Sequence, residues 1–142
     1  MHERLVRIKF DREVALLSEV AVKARDWTVN TAQFPVLDVT FNGTDPLRIR
    51  LTCDNWDEQP PSALLLNADG TEFRRQSKTG IINCSDHPAT GKYFICMRGF
   101  REYHIHGSHL TDLWETYRGQ DGMNLVGLLA QVSGAWRTAM GV

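Results

Sequence analysis

Residues 91–109, GKYFICMRGFREYHIHGSH, contain Cys96, Glu102, His104, His106 and His109. A thiol, a carboxylate and three imidazoles this close together support two chemistries. The first is metal binding. If REYHIHG is extended, Glu102, His104 and His106 share one face, because side chains along a strand alternate with period two. Imidazole nitrogens, a carboxylate and a thiolate from Cys96 together suit zinc. His109 lies just past Gly107 and can fold back as a further ligand. The second chemistry is nucleophilic. Cys96 follows the apolar run YFI and precedes the basic run MRGFR. Arg98, Arg101 and the nearby histidines are expected to lower the thiol pKa and raise the thiolate fraction. Downstream histidines can relay protons to an incoming nucleophile. H-x-H pairs also occur as ordinary hydrogen-bonding side chains, and the stretch lacks the paired C-x-x-C that would single out zinc.

The other two cysteines have poorer surroundings. Cys53 ends an alternating run, and Cys84 precedes His87-Pro88 without a histidine cluster beside it. Three cysteines without a C-x-x-C pair point to free thiols in a reducing compartment. Cys96 is therefore expected to be the reactive one.

These residues need a scaffold. In DREVALLSEVAVKARD, residues 11–26, Val14, Leu17, Ala21 and Ala24 recur near helical spacing, and Asp11 can cap the start. Upstream, Val6, Ile8 and Phe10 alternate with charged residues, which suggests a short strand. The middle of the chain alternates with period two. Val39 and Phe41 face away from Asp38 and Thr40, and Leu47, Ile49 and Leu51 face away from Arg48, Arg50 and Thr52. SALLLNADG reads as a shorter strand ending in a turn at Asp69-Gly70. Pro60 and Pro61 cannot join a central ladder, so DNWDEQPPS is an extended connection. Further on, LTDLWETYRG is expected to be a short helix capped by Ser108 or Thr111 and closed by Gly119. In NLVGLLAQVSGAWRTAM, Leu125, Leu128, Leu129, Val132 and Trp136 share a helical face. Strands grouped between helices predict an α+β architecture, with helices 11–26 and 124–139 flanking an antiparallel sheet of about four strands within residues 34–75.

The chain of 142 residues is long enough for one domain with a real core. Its formal net charge of -1 gives no basic face, which argues against nucleic acid as a partner. No apolar run is long enough to span a membrane, and MHERLVRIKF lacks the apolar stretch of a signal peptide. A cytoplasmic location is expected.

Several motifs, taken in order, resemble the ubiquitin-conjugating enzymes. DNWDEQPPSALLL resembles that family's proline-rich passage into a sheet strand, with Pro60-Pro61 at its paired prolines. HPATGKYFIC resembles its His-Pro-Asn segment, followed by a glycine and the catalytic cysteine. Trp114 takes the place of the tryptophan beyond the cysteine, and NLVGLLAQVSGAW resembles the helix that follows. The resemblance spans most of the chain and implies a single ubiquitin-conjugating-like domain over residues 1–142. Two departures stand out. Ala89 occupies the asparagine position, so support of an oxyanion would have to come from Asn83 or from a histidine of YHIHGSH. Trp114 lies eighteen residues beyond Cys96, further than is usual in the family, and the added segment holds Glu102, His104, His106 and His109. In this the chain is similar to divergent bacterial members found in antiphage defence operons, alongside a ubiquitin-like protein, an activating enzyme and a deconjugating metallopeptidase. It also resembles bacterial Cys-Glu-His-His chains described as predicted metal-binding domains.

The resemblance implies that Cys96 accepts a ubiquitin-like C-terminus from an activating enzyme as a thioester and passes it to a protein target. His104 and His106 would then serve proton transfer or oxyanion support, and Glu102 would orient an imidazole. No cofactor is expected on this reading. The alternatives are a zinc domain using Cys96, Glu102, His104, His106 and His109, or a noncatalytic scaffold that docks a ubiquitin-like protein.

Overall fold

The computed structural model describes residues 2–141. Two helices open the chain, α1 (Glu3–Val14) and α2 (Glu19–Arg25). Four strands follow: β1 (Trp27–Gln33), β2 (Val36–Phe41), β3 (Leu47–Thr52) and β4 (Ser62–Leu66). They form an antiparallel sheet in chain order. Two short strands, β5 (Ile82–Asn83) and β6 (Phe94–Ile95), pair antiparallel with each other, and β6 lies beside β4. Helices α3 (Arg101–Ile105), α4 (Trp114–Tyr117) and α5 (Leu125–Ala139) complete the fold, with a 3-10 turn at Gly107–His109. The architecture is the expected α+β arrangement of N-terminal helices, a four-stranded antiparallel sheet and C-terminal helices.

The sheet follows from alternation. Leu37, Val39, Phe41, Leu47, Ile49 and Leu51 are fully buried on one face. The α5 residues Leu125, Leu128, Leu129, Val132 and Trp136 join the same core, as do Val6 and Phe10 of α1. Each such side chain contributes about 1.5–3 kcal/mol when removed from water. Asn124 caps α5 by accepting a hydrogen bond from the Gly127 amide, as an N-cap asparagine should. On the other sheet face, Asp38 is also buried. Burial pushes its carboxyl up, but hydrogen bonds from Arg48, Asn30 and Arg50 outweigh this and hold it below its ordinary value.

Four local expectations are corrected. Residues 11–26 are not one helix, because α1 runs from Glu3 to Val14 and ends with Ala15 at its C-cap, and Ser18 starts α2 by accepting from the Ala21 amide. Val6 and Phe10 lie in a helix rather than a strand. Spaced four apart, they bury together, and Ile8, which alternation would have placed with them, is exposed. The sheet also begins earlier than residue 34, since WTVNTAQ forms its edge strand β1. Finally, the helix expected through LTDLWETYRG is only the one turn of α4, with Leu113 at its N-cap and no side-chain cap from Ser108 or Thr111.

Candidate active site

Cys96 directly follows β6, and its amide donates to the Ile81 carbonyl at 2.6 Å. This short ladder fixes the backbone beneath a half-buried thiol. The turn before it is built around His87. The Ala89 amide donates to Nδ1 of this buried ring, so Nε2 carries the proton and donates to the Glu102 carbonyl at 2.9 Å. The His-Pro turn is thereby coupled to α3. Beyond Cys96 the chain turns through Gly99 at φ 101°, in the left-handed region that favours glycine. A Cβ here would overlap Leu128 Cδ2, so the close approach of the loop to α5 also favours glycine.

The segment REYHI is helical rather than extended. Phe100 and Tyr103 bury their rings, and successive side chains project about 100° apart instead of alternating. Glu102, His104 and His106 therefore do not share a face. The Glu102 carboxylate is only 4% exposed and accepts from the Ser62 hydroxyl at 2.6 Å and the Ala63 amide at 2.8 Å. It pins α3 to β4. His104 accepts the Gly99 amide on Nε2 at 3.0 Å and donates from Nδ1 to the Asp112 carbonyl at 2.7 Å. Both of its nitrogens staple loops together. His106 accepts the Ser108 amide on Nδ1, and its ring stacks on Phe94 and meets His87 edge to face.

The residue brought to Cys96 is His109. Its Nε2 lies 3.5 Å from Cys96 Sγ, within reach of a hydrogen bond involving sulfur. The His109 ring stacks on Tyr103, with centroids 4.1 Å apart and planes 15° from parallel. Asp112 accepts from the Tyr103 and Tyr117 hydroxyls and from Arg98 Nε. These three partners hold its carboxyl well below the usual carboxylate range.

Charge near the thiol also differs from expectation. Arg98 is turned to Asp112, and Arg101 to Asp54 and the Pro60 carbonyl. Burial alone pushes the Cys96 thiol pKa up. A protonated Cys96 donates to His109, which makes Nε2 the nearby acceptor for its proton. Cys53 is completely buried and its thiol is also pushed up by burial, whereas Cys84 is partly exposed and its sulfur contacts the Arg75 and Ile82 carbonyls. All three cysteines are free. Among the described residues, no group of three or more His, Cys, Asp or Glu side chains is placed to hold one metal ion. The five residues of the zinc alternative do not fit that role as they stand, because Glu102 and His104 are committed to structural hydrogen bonds. Asn83, the expected stand-in for the missing asparagine, lies in β5 opposite Phe94, and its Oδ1 accepts from Ser85.

His104 carries a pH dependence. Burial pushes its pKa below the ordinary 6.5, outweighing the hydrogen bond to the Asp112 backbone. The unfolded chain therefore takes up this proton first as pH falls. The stabilisation is complete above about pH 6.5 and is lost as pH drops toward the folded-state value. Urea unfolding between about pH 8 and about pH 5 is expected to show this decline, and His104→Gln, which cannot take up a proton, should reduce it. An unchanged decline in that variant would assign the effect to another group.

Among the described residues, no helix is long and apolar enough to cross a membrane. No protein-family model matches the chain, and a comparison with curated proteins finds no relative.

Proposed function

We propose that the protein is a cytoplasmic ubiquitin-conjugating-like acyltransferase that carries a ubiquitin-like modifier as a thioester on Cys96. The observation that carries this reading is the half-buried Cys96 thiol with the His109 imidazole 3.5 Å away. The resemblance of the His-Pro turn, the paired prolines and the late amphipathic helix adds to it. A thiol whose pKa is raised needs a local base, and His109 is the group in position to act as one. This role passes to His109 because His104 has both nitrogens engaged elsewhere.

In the loading step, Sγ attacks the modifier's C-terminal carbonyl, which arrives as a thioester on the activating enzyme. The new Cys96 S–C bond forms as the old S–C bond breaks. The Cys96 proton passes through His109 to the departing thiolate, so one thiol is exchanged for another. In the transfer step, an amine of the target attacks the same carbonyl. An amide forms, the Cys96 S–C bond breaks, and the amine proton returns to Sγ by way of His109. No cofactor enters either step. The protein supplies position and a proton path, as suits an acyl group that is already activated.

The test is reconstitution with an activating enzyme, ATP and a ubiquitin-like protein. The expected product is an adduct cleaved by excess thiol and mapped to Cys96. Absence of an adduct with an active activating enzyme, or an adduct on Cys84, would overturn the proposal.

A further inference from the structure

We infer that Asp112 is a positioning residue that holds the His109 imidazole against the Cys96 thiol through a cluster with Tyr103, Tyr117 and Arg98. The inference deepens the proposed role of the Cys96 site, but its test uses no modifier protein, so either can fail alone.

His109 is held from two sides. One is its floor, the Tyr103 ring stacked beneath it. The other is its own loop, where the Asp112 amide donates to the His109 carbonyl at 3.0 Å and the His109 amide donates to the His106 carbonyl at 2.9 Å. The Tyr103 hydroxyl joins the two by donating to Asp112 Oδ2. Arg98, two residues beyond Cys96, donates to the same oxygen at 2.8 Å. Tyr117 of α4 donates to Oδ1, and the Asp112 backbone carbonyl accepts from His104 of α3. One residue therefore collects the strand end carrying the thiol, the helix carrying the floor of the imidazole, and the loop carrying the imidazole itself. The carboxylate accepts three donors, two of them neutral hydroxyls, so the cluster keeps its geometry without a compensating charge for each contact. The Arg98 guanidinium also lies over the Tyr117 ring, 4.9 Å from its centroid, which further fixes the fork. Asp112 touches neither Sγ nor the position of an acyl carbonyl in this arrangement, so its effect is exerted through His109.

The experiment follows Cys96 alkylation by iodoacetamide as a function of pH, with peptide mapping, together with the NMR resonances of the His109 ring. His109→Ala sets the reference and is expected to slow Cys96 alkylation near neutral pH by about tenfold or more. Asp112→Ala should move the rate and its pH profile most of the way to that reference and shift the His109 resonances. Tyr103→Phe keeps the stacked ring but removes its hydroxyl, so it should show a smaller change of the same kind in a folded protein. Asp112→Asn retains an acceptor and should recover part of the loss. In the double variant Asp112→Ala/His109→Ala, no further slowing is expected. A wild-type rate and wild-type His109 resonances in Asp112→Ala would overturn the inference. So would slowing in Asp112→Ala that persists in full on top of His109→Ala. If Asp112→Ala does not fold, unchanged alkylation and unchanged His109 resonances in Tyr103→Phe would overturn it equally.

Discussion

Replacing Cys96 with alanine is expected to abolish the thiol-sensitive adduct completely while leaving a folded protein within about 1 kcal/mol of wild-type stability. The loss is complete because the acyl group is carried on sulfur and a methyl group cannot carry it. The stability change is small because Cys96 is only half-buried, lies at the end of a short strand, and gives up one weak contact with His109. Its backbone anchor, the amide bond to the Ile81 carbonyl, is untouched by the substitution. Denaturant unfolding and the adduct assay on the same preparation measure both halves. A protein that unfolds on Cys96→Ala and carries stoichiometric zinc in its native form would instead make Cys96 a structural metal ligand, since loss of such a ligand removes folding energy. The rise of wild-type Cys96 alkylation with pH should also have its midpoint above that of an ordinary cysteine, as burial without a facing cation requires.

Glu102 should behave in the opposite way. Glu102→Ala is expected to cost about 2–4 kcal/mol in metal-free protein. The carboxylate is buried at the joint between α3 and β4, where it accepts from the Ser62 hydroxyl and the Ala63 amide. Its removal leaves a buried amide without its acceptor and a cavity where the side chain stood. Glu102→Gln keeps one acceptor oxygen but sets an amide NH2 against one of the two donors, so it should fall between wild type and alanine. Because α3 positions Tyr103 and His104, the alanine variant should also lose Cys96 reactivity as the support of His109 loosens. A loss below about 1 kcal/mol in Glu102→Ala would show that the carboxylate is not a structural joint, and would return it to the role of ligand or catalytic group.

Much of the scaffold was legible because its signals are local. Alternation of Leu47, Ile49 and Leu51 with Arg48, Arg50 and Thr52 is a property of neighbouring residues, and β3 follows it position by position. The apolar face of α5 could be read for the same reason. β1 was missed because WTVNTAQ is an edge strand that is mostly exposed, so little apolar patterning is required of it. The candidate site was legible in composition and not in arrangement. Cys96 and the histidines are conspicuous in sequence, but their partnership depends on whether REYHI is a strand or a helix. Pairs such as Glu102 with Ser62 and Ala63, 40 and 39 residues away, decide that question. Buried Phe100 and Tyr103 turn the segment into a helix, and this sends Glu102 to the sheet and His104 to Gly99. His109 is left as the imidazole at the thiol. Asp112 carries no signal in the sequence at all, because its importance lies in three donors from three separate segments meeting at one carboxylate. The chain thus encodes its elements through short-range periodicity, whereas the identity of the base beside Cys96 arises only when long-range hydrogen bonds and ring stacking choose among several histidines of equal local merit.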